Sequence, residues 1–269
     1  MNRKGKVDTA SNSASPYTGG ITIKSAQELD AMRHAGAIVG ATLTLLKRSV
    51  ESGITTRELD NIAFKEITSH GAKPTFKGYR GFPASICASV NEEIVHGIPG
   101  KRVLKEGDII KMDVGATIDG FIGDAAVSVP VGTVTQEAID LMEATRLSLE
   151  EGIKASQPGN RIGDIVAPPC RPIARPEAMA SCASLLVTEW DGSCMRTPNV
   201  PNYGQAGRGQ LLRAGMCIAI EPMLNVGDWH TRILDDNWTV VTADGSLSSH
   251  FEHTIAITED GPEILTKHT

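Results

Sequence analysis

Apolar residues recur along this chain at two periods, and the change from one to the other marks the elements. Ser25 followed by Glu28 is a capping box. Behind it Leu29, Met32, Ala35, Ile38 and Val39 fall on one face at helical spacing, which predicts a helix over about 25–50. Thr55 or Thr56 opens a second helix, to about residue 70, with Leu59, Ile62, Ala63 and Ile67 inward and Gly71 and Pro74 as its stop. Short apolar runs then predict strands around 84–90 and 109–117. Asp119-Gly120 is a two-residue hairpin turn into a third strand around 121–129. A third helix is predicted over about 135–155.

The order then begins again. The first helix is followed by Gly53 and the third by Pro158-Gly159. Leu104-Lys105-Glu106-Gly107 leads to Asp113 six residues after the glycine, and Leu212-Arg213-Ala214-Gly215 leads to Glu221 at the same offset. This echo predicts two halves on one plan with a carboxylate at equivalent points; the alternative is coincidence, since apolar strands after a Gly turn are common. On that plan the stretch 166–199 should begin with a counterpart of the helix at 55–70. Pro168, Pro169, Pro172 and Pro176 stand there instead, and at about 3 kcal/mol for each interior proline they forbid it. The stretch reads either as an inserted flexible loop or as sequence foreign to the fold around it. Residues 1–20, rich in Ser, Gly and Lys without apolar periodicity, are expected to be a mobile tail, leaving 21–269 as the folded domain.

Composition narrows the field of functions. The chain has 269 residues, 41% of them apolar, enough for a sizeable core; with 4% aromatics that core must be aliphatic. A formal charge of −6 with mixed signs gives no basic footprint for nucleic acid or an anionic membrane. No run approaches a membrane span and the N-terminus lacks the apolar stretch of a secretory signal, so a cytoplasmic protein is expected. Five cysteines without a C-x-x-C pair suit reduced thiols. Cys87 and Cys217 sit among apolar residues as core positions. Cys170, Cys182 and Cys194, twelve apart but without nearby His, make a poor zinc site.

The chemistry lies in carboxylates placed inside apolar strands. If Asp119-Gly120 forms a two-residue turn, Ile118 pairs with Phe121 and Asp113 with Ala126. Asp124 then projects from the same face as Asp113, as a diagonal neighbour about 7–8 Å away. Asp124 could still be a solvated residue and Asp113 a turn partner, but Ile109-Ile110-Lys111-Met112-Asp113-Val114 is an apolar run, and such strands rarely bury an unpartnered carboxylate. Glu221 in Cys217-Ile218-Ala219-Ile220-Glu221-Pro222-Met223 and Glu252 in His250-Phe251-Glu252-His253-Thr254-Ile255 repeat the situation. Four carboxylates converging in a low dielectric repel one another unless cations neutralise them, and two divalent ions about 3.5–4 Å apart would balance the charge.

The run Asn91-Glu92-Glu93-Ile94-Val95-His96-Gly97-Ile98-Pro99, then Asp113-Val114-Gly115 with Gly120-Phe121-Ile122-Gly123-Asp124, then Ile220-Glu221-Pro222-Met223 and Glu252-His253-Thr254, resembles the ordered motifs of type I methionine aminopeptidases. The resemblance covers about 21–165 and 200–267. It implies an α/β pita-bread fold, two pseudo-symmetric halves with helices on a curved antiparallel sheet, and removal of the initiator methionine from nascent peptide N-termini. It implies two divalent metal ions (Mn, Co or Fe) held by Asp113, Asp124, Glu221 and Glu252, with Glu221 also moving the proton between water and the leaving amine. His96 would contact the substrate near its scissile amide; Tyr79, Phe82, Cys87 and Trp238 would surround the methionine side chain, or pack as core. A monomer is expected, associated with the ribosome, with no nucleic-acid specificity and no membrane. His34, His70, His230 and His268 match no family role, and His253 should point away from Glu252 along its strand.

One departure stands out. The family's fifth ligand, the His of a Gly-His-Gly-Ile-Gly motif, and a second His in a His-Glu-x-Pro motif belong between 165 and 200, where this chain has no His at all. Family-like length with foreign composition fits a stretch read in a shifted frame, which the encoding nucleotide sequence would decide. The missing donor leaves three readings: an active aminopeptidase with a substitute group, an inactive degenerate relative, or a peptide-binding module on the same fold; with one ion facing carboxylates alone, little or no methionine release is expected from the chain as written.

Overall fold

The computed structural model describes residues 22–166, 189–190, 195–196 and 205–269. The expected tail, the four prolines and Cys170, Cys182 and Cys194 lie outside them. Helix α1 spans Ala26–Ser49 and α2 spans Thr56–Ser69; Ser25 with Glu28 and Thr55 with Glu58 form both bonds of a capping box. Strands β1 (Lys73–Pro74), β2 (Cys87–Val90), β3 (Glu93–Val95), β4 (Ile109–Ile118) and β5 (Phe121–Pro130) follow. Next come α3 (Gln136–Ala155), α4 (Ile162–Val166) and the short antiparallel pair β6 (Glu189–Trp190) and β7 (Met195–Arg196). The second half continues with β8 (Cys217–Ile220), β9 (Met223–Asn225), β10 (Thr231–Ile233), β11 (Val240–Thr242), β12 (Ser248–His250), β13 (His253–Thr258) and β14 (Gly261–Ile264).

The internal echo is a repeat of hydrogen bonds. Gly53 N donates to Leu104 O and Leu104 N to Ile54 O; Gly159 N donates to Leu212 O and Leu212 N to Asn160 O. Gly107 N reaches Val131 O as Gly215 N reaches Ile257 O, and Val131 N reaches Asp108 O as Ile257 N reaches Met216 O. Isolated bridges complete the match, Thr55 to Val103 and Arg161 to Leu211. The counterpart of α2 therefore opens at Ile162, where Asp164 accepts from Arg161 N as Glu58 does from Thr55 N. It starts about four residues earlier than the sequence placed it, because its cap sits at Arg161, ahead of the prolines.

Each half has its own core. The inner faces of α1 and α2, with Leu43, Leu46, Leu59 and Ile67, cover Ile86, Ile110, Met112 and Val114 of the first sheet. Leu149, Ile153, Ile162 and Ile165 cover Ile218, Ile220, Ile255 and Ile257 of the second. Each fully buried Leu or Ile contributes about 1.5–3 kcal/mol, so these two layers hold the strands rigid. Phe251 packs against both cores.

Glycines set how closely α1 approaches. A Cβ on Gly123 of β5 would lie 2.8 Å from the Gly36 nitrogen, and one on Gly36 would enter the Leu265 carbonyl. Replacing a helix glycine by alanine gains about 1 kcal/mol of intrinsic propensity. Overpacking against rigid backbone costs about 1–3 kcal/mol, so the clash wins. Gly36→Ala is accordingly expected to lower stability by up to about 2 kcal/mol in urea denaturation, whereas Ala37→Gln on the exposed side of α1 changes it by under about 0.5 kcal/mol. Equal midpoints for the two variants would refute this packing argument.

Candidate metal centre

The hairpin turn has the backbone its sequence demands: Asp119 and Gly120 take φ 52° and 83°, the left-handed pair of a type I′ turn. Register follows from it, pairing Ile118 with Phe121, Asp113 with Ala126 and Gly115 with Asp124, so Asp113 and Asp124 share a face. In the second half, β8 with β13 and β9 with β12 keep one register, from Cys217–Ala256 through Ile220–His253 to Met223–His250 and Asn225–Ser248. Only Glu221-Pro222 and Phe251-Glu252 interrupt that ladder. Pro222 has no N–H to give, and its carbonyl accepts a long 3.4 Å bond from Phe251 N.

The two halves meet edge to edge there. Ala126 N donates to Glu252 O at 3.3 Å and Glu252 N to Ala126 O at 2.9 Å. Thr254 Oγ1 accepts from Asp124 N at 3.0 Å and donates to Asp124 O at 2.7 Å. This junction brings the donor atoms into two overlapping groups, Asp113, Asp124 and Glu252 in one and Glu221, His250 and Glu252 in the other; within each group they lie within 4.8 Å of one another. Glu252 belongs to both.

Burial governs the electrostatics. The Glu221 side chain is 12% exposed and that of Glu252 4%. Loss of water pushes Asp113 up to about 6 and Glu221 to about 8. It also holds Asp124 and Glu252 well above the usual carboxylate range, with repulsion from the other carboxylates adding to burial. Burial drops His250 to about 4, so its ring is neutral, and lowers His96, with His250 adding to the effect. Asp113 Oδ1, Asp124 Oδ1 and His250 Nε2 are buried without a hydrogen-bond partner. Unpaired buried oxygens in a crowded anionic cluster are what a divalent cation satisfies, and an oxygen-dominated set suits the harder ions.

Beside the carboxylates lies an apolar wall. Phe82, Ala84 and Cys87 are buried together against Trp238, Phe76 and Ile98, with the Phe82 and Trp238 rings edge to face at 5.1 Å. His96, at φ 60°, turns its ring toward Trp238, centroids 6.2 Å apart. The Cys87 thiol bonds to Asp113 and is pushed well above its usual range, first by burial and then by the nearby carboxylates. Tyr79 stands half-buried on the turn leading into Phe82, with the Arg80 guanidinium over its ring. His253 turns away from Glu252, bonding Thr266 Oγ1 and lying 5.1 Å from the His268 ring.

Sequence reasoning missed two buried groups. His250 precedes Glu252 by two residues on an extended stretch, so a period of two would have put both on one face. Lys111, fully buried with Nζ on Asn91 O at 2.7 Å, is lowered to about 7 by burial; one charge in an apolar strand was its only signal.

Comparison with known proteins places this geometry. The family model for metallopeptidase family M24 matches residues 30–259. The chain is 47% identical over 246 residues to a methionine aminopeptidase of Clostridium perfringens, covering 91% of this chain and 98% of the relative. It is 46% identical to methionine aminopeptidase 1 of Bacillus subtilis, covering 92% and 99%. The crystal structure of a methionine aminopeptidase from Thermotoga maritima superposes with a TM-score of 0.88 at 40% identity, over 92% of this chain and all of that one. The fold is thus the expected α/β pita-bread architecture. Its two halves bring four carboxylates together in groups that could hold a metal ion, and the chain belongs to metallopeptidase family M24.

Proposed function

We propose that this chain removes the N-terminal methionine from nascent polypeptides by metal-dependent hydrolysis. The observation that carries the proposal is the convergence of Asp113, Asp124, Glu221 and Glu252, the two aspartates each with a buried unpaired oxygen, beside an apolar wall of Phe82, Cys87 and Trp238. The relatives named methionine aminopeptidase, at 46–47% identity over nine tenths of the chain, supply the substrate and weigh against an inactive or purely binding role. In this reading the residues hold two ions, of Mn(II), Co(II) or Fe(II) character, which supply Lewis acidity to water and to the scissile carbonyl. One catalytic domain spans 21–269, acting as a monomer in the cytosol where chains leave the ribosome. No helix among the described residues is long and apolar enough to cross a membrane.

The chain's own groups take the remaining roles. Glu221, largely buried at the junction of the two halves, accepts a proton from water and returns it to the leaving amine. His96, lowered by burial, is neutral and offers its ring to the scissile amide. Phe82, Trp238 and Cys87 receive the unbranched thioether, with Tyr79 at the rim.

Release of methionine from a Met-Ala peptide with excess Mn(II) or Co(II) tests the proposal. Turnover is expected from the native chain, and Glu221→Gln is expected to lower kcat by about 10²–10⁴-fold. A native chain that binds the peptide without cleaving it would overturn the enzymatic reading.

Cation binding must also displace protons. In the cation-free protein burial and mutual repulsion raise Asp124 and Glu252 well above the usual carboxylate range, and burial raises Glu221 to about 8, so protons compete with a cation for these oxygens, while His250, lowered to about 4, is neutral. Raising the pH removes that competition, so Mn(II) affinity should rise from pH 6 to pH 8, with net proton release detected by calorimetry in buffers of different ionisation enthalpy. Affinity independent of pH would contradict this account of the cluster.

A further inference from the structure

His250 is the one nitrogen-bearing member of the two donor groups, and nothing in the reaction outlined above uses it. Its ring is 1% exposed, and Nε2 is buried with no hydrogen-bond partner. That nitrogen faces Glu221 Oε2 at 3.5 Å and Glu252 Oε2 at 3.9 Å. Both separations are too long for a sound hydrogen bond. They are near the spacing of two donors on one ion: atoms about 2.1 Å from a common centre at a tetrahedral angle lie roughly 3.4 Å apart.

The backbone around His250 is fixed on both sides. Ser128 Oγ accepts from His250 N at 3.0 Å and donates to His250 O at 2.8 Å, and β12 pairs His250 with Met223. The repeat gives the position a meaning. Val131 and Ile257 are equivalent by their hydrogen bonds, and so are Gly107 and Gly215. Counting along the unbroken registers, Gly115 corresponds to Met223 and its partner Asp124 to Met223's partner His250. His250 thus occupies in the second half the place that Asp124 holds in the first.

We infer that His250 is a direct metal ligand, giving Nε2 to the ion shared by Glu221 and Glu252. It supplies from β12 the neutral nitrogen donor that the family motif would have placed within 166–199, where this chain has no histidine. The inference rests on the divalent-metal reading of the carboxylates. It moves the nitrogen from the 166–199 stretch to β12, so the centre keeps a mixed nitrogen and oxygen donor set.

Pulsed EPR on the Mn(II)-loaded full chain tests it directly, with ¹⁴N- and ¹⁵N-histidine samples compared. The native protein is expected to show coupling from a bound imidazole that changes with the isotope. In His250→Gln the coupling should disappear and the weaker of the bound ions should lose at least about tenfold in affinity, while the Asp113 and Asp124 side still loads. Circular dichroism establishes that the variant is folded. Should His250→Gln fail to fold, His96→Gln replaces it: coupling that survives removal of the other imidazole beside the site belongs to His250, and coupling lost with His96 overturns the assignment. Native protein that takes up Mn(II) without imidazole coupling, or a folded His250→Gln that keeps the coupling, also overturns it and leaves the metal reading standing. Native protein that takes up no Mn(II) overturns both.

Discussion

Two backbone hydrogen bonds between Ala126 and Glu252 join the halves, and the position of every charged group in the centre follows from them. Each half is a layer of helices on antiparallel strands that could present two acidic residues at its sheet edge. Neither half alone closes around a cation. Pairing Ala126 with Glu252 puts Asp124, two residues along β5, against Thr254, two residues along β13, and Thr254 then fixes the Asp124 backbone from both sides. Glu252, at the crossing point, is the carboxylate common to both donor groups. The apolar layers matter because they leave these strands no freedom to spread when the carboxylates repel.

That repulsion is the cost the fold carries. Four carboxylates in a site this dry are held partly protonated, with Glu221 near 8 and Asp113 near 6. Interior attraction between opposite charges grows as water is excluded, and so does repulsion between like charges. The same burial that makes the cation-free cluster unfavourable therefore strengthens its hold on a divalent cation. Cys87 adds a modest donor to Asp113, which suits a thiol that burial keeps protonated.

What the sequence revealed and what it concealed divide by range. Ser25, Thr55 and Asp119-Gly120 act within three or four residues, so caps, helix starts and the Asp113–Ala126 register were legible. The offset of Asp113 and Glu221 from Gly107 and Gly215 exposed the repeat, since the same turn must be rebuilt to aim each strand. The start of α4 was not legible because Arg161, at its cap, has no side-chain oxygen to mark a helix N-terminus. His250 was missed although Glu252 two residues on was found, because what sets it apart is its approach to Glu221, 29 residues earlier in the chain. Lys111 was missed because a single lysine in a strand ordinarily reaches water, whereas this one ends on Asn91 O.

The absence of histidine from 166–199 has a different weight once the register of the second half is known. From sequence alone the loss of a nitrogen donor argued against function, since carboxylates by themselves leave one ion poorly held. The carboxylates and His250 come from four short segments around the Ala126–Glu252 junction, three of which lie in β4, β5 and the β8–β9 turn, and the fourth in His250-Phe251-Glu252. None of these segments lies in 166–199. Asp124 and His250 occupy equivalent places in the repeat, so each half offers two side chains there, one from each strand of the pair. On this geometry a centre can change which loop supplies its nitrogen while its carboxylates stay where the two hairpins put them.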